Sequence, residues 1–90
     1  MKYHRHTAKV GVYGEHEHHT WRDANSVLLA ESYQKDDGSY DVTLYNRANV
    51  PFTRNLRETR IMWNVCEAHV KERGFDTLGH DTADVRAYND

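Results

Sequence analysis

The sequence predicts an α+β domain, a small antiparallel β-meander of three to four strands packed against one C-terminal α-helix. Three observations carry this: a turn signal between two strand-like runs, a second turn leading to a proline-bearing strand, and an uninterrupted helical stretch ending at a glycine. Ninety residues make one domain with a thin core. Leu, Ile, Val and Phe together supply only sixteen residues, a share that leans toward disorder. The net charge of -2 opposes that reading, and six Tyr with two Trp provide large burial units.

The first hairpin is read from residues 27 to 34 and 39 to 46, β-branched and tyrosine-rich runs flanking Lys35-Asp36-Asp37-Gly38. A four-residue loop there would set Tyr33 opposite Tyr40, Leu29 opposite Leu44 and Leu28 opposite Tyr45. Asn46-Arg47-Ala48-Asn49 turns the chain again into Val50-Pro51-Phe52-Thr53. Pro51 cannot donate to a ladder, so this strand belongs at a sheet edge. The meander thus spans residues 27–53.

The helix is expected over residues 55–73. Asn55 stands three residues before Glu58, the capping-box spacing, and Gly74 supplies the stop, with Phe75 placed to close a Schellman turn against Val70. At 100° per residue, Leu56, Met62, Trp63, Cys66 and Val70 share the arc laid on the sheet, with Trp63 at its middle. Arg57, Arg60, Glu67 and Lys71 form a polar arc. Ile61, Val65 and Ala68 make a second apolar strip that a helix on one small sheet need not bury. Cys66, the lone cysteine, reads as a small buried apolar residue rather than a nucleophile.

Residues 1–22 read as a His-rich N-terminal strand or arm, residues 15–26 as a polar connection anchored by Trp21, and residues 75–90 as an acidic tail with one short helical turn after Asp81. Five of the seven histidines lie in the first nineteen residues. In a strand, His4 with His6 and His16 with His18 each share a face, so a hairpin turning near Gly11 or Gly14 would gather four imidazoles for Zn²⁺, Ni²⁺ or Cu²⁺. Zinc would then be the cofactor. The leading expectation is nevertheless a solvated arm with no cofactor, because no second shell fixes either histidine pair.

Composition narrows the function. No run of about 18 apolar residues exists to span a membrane, and no apolar stretch follows the basic amino terminus. A cytoplasmic protein is expected. Charge alternates by segment: +2 over residues 1–22, -3 over 23–50, +2 over 51–73 and -3 over 74–90. None of these has the density of a nucleic-acid footprint. A sheet-plus-helix domain can still bind nucleic acid, with Arg54, Arg57, Arg60, Lys71 and Arg73 on phosphates, although Asp36, Asp37 and Asp41 oppose it. No phosphate loop, nucleophile elbow or Cys-His motif appears, so the chain is read as a non-enzyme.

The leading expectation is a protein-binding module. Its contact residues would be Ile61, Val65 and Ala68 on the helix, Tyr33 and Tyr40 on the hairpin, and Asp36 and Asp37 at the turn, meeting another protein or a second copy in a homodimer. In size and charge the chain resembles phage-encoded inhibitors that dock on host defence or nucleic-acid-handling proteins.

Overall fold

The computed structural model describes the backbone of residues 1–81 and the side chains of residues 1–76. Five strands run as a continuous antiparallel meander: β1 (Lys2–Val10), β2 (His16–Asp23), β3 (Leu28–Gln34), β4 (Tyr40–Tyr45) and β5 (Pro51–Leu56). Helix α1 (Thr59–Glu72) then carries the chain back across one face, and β6 (Asp76–Asp81) pairs parallel with β1. The order across the sheet is β5-β4-β3-β2-β1-β6. The α+β class and, among the described residues, the single helix stand, but the sheet is larger than three to four strands. The helical turn expected after Asp81 lies outside the described residues, whereas Asp76–Asp81 is a strand and not tail. No described helix is long and apolar enough to cross a membrane.

Apart from β6, the extra strands come from the N-terminal segment. Strand β1 registers Tyr3 against Asp23 and Val10 against His16, so the stretch expected as a polar connection is an inner strand. It escapes an apolar pattern because its helix-facing positions are Glu17, His19, Trp21 and Asp23. Between the pairs Trp21↔Ala30 and Arg22↔Leu28 the register skips one residue, Leu29, as a bulge.

Three of the four hairpin turns repeat one design. In each, three residues separate a hydrogen-bonded pair, and the last of them adopts a left-handed conformation. Lys35 N–H donates to the Ser39 carbonyl (2.7 Å) and Gly38, at φ +87°, donates to the Lys35 carbonyl. Ser26 (φ +66°) and Asn49 (φ +61°) take the position of Gly38 in the other two. There Asp23 and Asn46 side-chain oxygens each accept two backbone N–H groups, at 2.8–3.0 Å.

This turn geometry corrects the expected register. The β3–β4 pairs are Tyr33↔Asp41, Gln34↔Tyr40 and Ala30↔Leu44, one residue off the expected set, because Ser39 is needed to close the turn. A slip of one moves every side chain on one strand to the other face. Tyr40 is consequently buried under the helix while Tyr33 stands 44% exposed on the opposite side.

The left-handed serine makes a prediction. A non-glycine residue there costs about 1–2 kcal/mol, of which the added freedom of an unfolded glycine recovers part. Ser26→Gly should raise stability by about 0.5–1 kcal/mol, a melting-temperature gain of roughly 2–8 °C. A melt that falls instead would mean that the serine side chain supports the turn.

Helix α1 starts later than expected. Asn55 is still in β5, where its Nδ2 donates to Ser39 Oγ and Asp41 Oδ1, both at 3.0 Å. Glu58 is the N-cap, in an extended conformation and without a side-chain cap bond. The other end is as expected: Phe75 N–H donates to Val70 and Gly74 N–H to Lys71, the Schellman pair, with Gly74 at φ +96°.

The core lies between α1 and the sheet. Met62, Cys66 and Val70 meet Tyr3, Trp21, Leu29, Ala30, Tyr40 and Val42, with Leu44, Leu56 and Trp63 packed at its margin. Burial pushes the Cys66 thiol up to about 12, so it is an apolar filler and stays protonated.

Candidate functional site

Two half-buried carboxylates organise the polar side of the helix–sheet interface. Glu17 on β2 accepts His19 Nε2–H (2.9 Å) and the Tyr40 hydroxyl (3.0 Å) on one oxygen and Lys9 Nζ (3.3 Å) on the other. Glu67 on α1 accepts the Trp21 indole N–H (2.6 Å) and the Tyr3 hydroxyl (2.9 Å), and its second oxygen meets Arg5 (3.3 Å). The sequence placed Glu67 on a polar, outward arc. It instead reaches across to β1 and β2, where two aromatic donors need an acceptor.

Between these carboxylates sits an aromatic cluster. Trp63 packs edge-on against His19 (4.6 Å between centroids) and Trp21 (5.2 Å), and the Arg5 guanidinium lies 4.5 Å over its ring. His19 is 2% exposed. With Nε2–H given to Glu17, its Nδ1 accepts from the Thr7 hydroxyl at 2.9 Å. Thr7, His19 and Glu17 thus form a hydroxyl–imidazole–carboxylate chain, but both carboxylate oxygens are engaged and the ring is walled in by Trp63. The arrangement stabilises a fold more plainly than it exposes a nucleophile.

The cluster does predict a pH dependence. Burial pushes the His19 pKa down from 6.5, more than Glu17 restores it. An unfolded histidine therefore binds its proton first. Stability is lost as pH falls from about 6.5 toward the folded value, with a slope of at most about 1.4 kcal/mol per pH unit for one proton. Burial raises Glu17, but the bonds from His19, Tyr40 and Lys9 outweigh it and hold its carboxyl below 4.5. Its contribution is lost only in stronger acid, as pH falls from 4.5 through the folded value. Denaturant midpoints between pH 7 and 5 should decline in the parent and decline less in His19→Gln; equal slopes would assign the effect elsewhere.

The histidines expected as a metal site share the face away from α1 but not one place on it. His4 pairs with Arg22, His6 with Thr20, His18 with Ala8 and His16 with Val10. The six-residue offset of His4 from Val10 is about 20 Å of strand. The hairpin that would gather both pairs therefore spreads them along its length. His18 Nε2 lies 2.8 Å from Glu31 and His16 Nε2 3.0 Å from Asp36, and both rings neighbour Tyr33. The His18 bond is the main cause that holds the Glu31 carboxyl below its ordinary range. Among the described residues no group of three or more such side chains is placed to hold a metal ion.

The expected partner-binding residues also separate. Tyr40 is core, Tyr33 belongs to the histidine face, and Asp36 and Asp37 sit in the β3–β4 turn, where Ser39 is the chief cause of the lowered Asp37 pKa. Ile61, Val65 and Ala68 do stay together. Since Trp63 and Glu67 turn toward β1 and β2, the 100° progression turns this strip away from those strands and largely off the sheet.

Strand β5 was expected as an edge, and it is one. Residues Pro51 to Asn55 are all exposed, and Phe52, Arg54 and Leu56 alternate onto the helix side. Phe52 is 62% exposed and Ile61 43%. Phe52 went unremarked in the sequence, although its spacing from Pro51 on an edge strand was the available signal. The edge strand thus carries Phe52 and Arg54, with Arg57 just past its end. Among the described residues neither arginine has an ion-pair partner within 4 Å. No family model, curated protein or solved structure matches this chain.

Proposed function

We propose that the chain is a small protein-binding module that docks through β5 and the adjoining flank of α1. The observation that carries this is the exposed edge strand bearing Phe52, with Ile61 exposed on the helix that follows it, two large apolar side chains left in water by a domain whose core is already thin. Val65 and Ala68 extend the apolar strip. An inhibitor covering the working surface of a host defence or nucleic-acid-handling protein is one form such a module takes, and homodimerisation through the same strip is another.

The alternative of nucleic-acid binding has one observation in its favour, an exposed aromatic among arginines on β5. Two others oppose it. Asp37 lies close enough to feel the Arg57 charge, and the chain is net acidic, so phosphates approaching the end of β5 meet a carboxylate as well as a cation.

A pull-down from the native cell, with the parent and Ile61→Glu side by side, tests the reading. The glutamate replaces a side chain already partly in water, so the two melts should agree within about 0.5 kcal/mol. A protein retained by the parent and lost by Ile61→Glu is expected. Identical captures, or nucleic acid alone, would overturn the proposal. Light scattering separates the self-association form, for which a dimer should vanish in the same variant.

A further inference from the structure

We infer that β5 receives an extended acidic segment of the partner protein as an additional antiparallel strand, with an acidic residue opposite Arg54 and an apolar one opposite Phe52. This rests on the docking reading above and specifies its chemistry. The hairpin bond from Asn46 N–H to the Val50 carbonyl fixes the alternation along β5. Phe52, Arg54 and Leu56 direct their backbone groups to Leu44, Val42 and Tyr40 of β4, and Thr53 and Asn55 direct theirs outward. Pro51 falls in the outward set, so its missing N–H costs the sheet nothing. The outward carbonyls of Pro51, Thr53 and Asn55 and the N–H groups of Thr53 and Asn55 are the template for strand addition.

The side chains choose the occupant. An added antiparallel strand would meet Phe52 and Arg54 at non-hydrogen-bonded pairs, where opposed side chains come closest, about 4.5 Å between Cα atoms. On the helix side of β5 such a strand therefore needs an acidic residue followed two positions later by an apolar one. The apolar residue sits over Phe52, and the acidic residue neutralises Arg54, with Arg57 reinforcing the preference at the end of the strand.

A second copy fits worse. Two β5 strands pairing about Thr53 would bring two Arg54 side chains onto one face with no anion between them. They would also set Pro51 against Asn55, whose carbonyl would find no N–H. Edge charge and edge proline are known defences against self-pairing. An acidic strand turns the first of these into an attraction.

The probe is a fluorescein-labelled peptide in which threonine alternates with isoleucine, glutamate and isoleucine, compared with a version carrying lysine for glutamate. Binding of the glutamate peptide below about 1 mM is expected, about tenfold tighter than the lysine peptide, with the order reversed in Arg54→Glu. Thr53 and Asn55 amides should gain hydrogen-exchange protection in the complex. N-methylation of the peptide amides that would face β5 should abolish binding, a result that does not depend on how any protein variant folds. Absence of binding, equal affinity for both peptides, or unprotected Thr53 and Asn55 amides would overturn the inference. Thr53→Pro keeps it distinct from the broader reading. A captured partner lost by Ile61→Glu but kept by folded Thr53→Pro leaves the module standing and removes strand addition. A partner kept by both removes the two together.

Discussion

Trp21→Ala is expected to leave the chain unfolded at room temperature. Trp21 is fully buried near the middle of β2, between Arg5 on β1 and Ala30 on β3, and it is the largest side chain of the core. Its ring meets Trp63, and its indole N–H is donated to Glu67. Truncating a buried tryptophan costs about 3–5 kcal/mol through lost transfer energy and the cavity left behind. Small domains hold roughly 5–15 kcal/mol in total, and a 90-residue chain with a thin core sits low in that range. Circular dichroism during a thermal melt reads the outcome directly. A cooperative transition within a few degrees of the parent would show that the sheet is anchored elsewhere.

The sequence pointed instead to Trp63, at the centre of the helix arc, and the difference shows what the pattern could convey. A helical arc reveals which residues share a face, but the depth of each depends on the sheet beneath. Trp63 lies at the edge of α1 over β1 and β2, partly in water and shielded by Arg5. Trp63→Ala should therefore cost less than Trp21→Ala. Trp21 looked like an anchor in a loop because its neighbours are His18, His19, Thr20 and Arg22, and no apolar alternation surrounds it.

The other successes and misses follow the same line. The hairpins from β3 to β5, the edge position of Pro51 and the Gly74 stop were legible because turns, proline and helix ends are local chemistry. The β3–β4 register was not, since a left-handed residue at the turn adds a position that strand composition does not reveal. Strand β2 was hidden because its inward positions hold the half-buried Glu17 and the buried His19 as hydrogen-bonded groups, and their partners Thr7, Lys9 and Tyr40 come from other strands. Strand β6 was hidden because a short segment with Asp at both ends resembles a tail. The proposed docking surface was half legible: the helix arc isolated Ile61, Val65 and Ala68 and Pro51 marked an edge, but only the β4–β5 register shows that Phe52 and Arg54 share the helix side of that edge. The histidine pairs misled because sharing a strand face fixes side, not distance.

Glu67→Ala is the second large effect expected, and it follows from what the carboxylate alone supplies. Trp21 and Tyr3 are both fully buried, and each has Glu67 Oε2 as acceptor. Alanine leaves an indole N–H and a phenol O–H without that partner, each at about 1–3 kcal/mol, and takes the Glu67 carboxylate from Arg5. Water reaching the partly exposed end of the site offsets some of this, so a loss of about 3–5 kcal/mol is expected. Glu67→Gln keeps an acceptor oxygen and gives up the charge, and it should cost about 1–2 kcal/mol. A double-mutant cycle with Trp21→Phe then isolates the buried bond. Once the indole N–H is gone, Glu67→Ala should cost less than in the parent by at least about 1 kcal/mol. If instead Glu67→Ala cost no more than the roughly 0.5 kcal/mol of an ordinary surface substitution, Glu67 would be the outward-facing helix residue that the sequence pattern first suggested, and the link between α1 and the N-terminal strands would have to be sought in Trp63 and its contacts with His19 and Arg5.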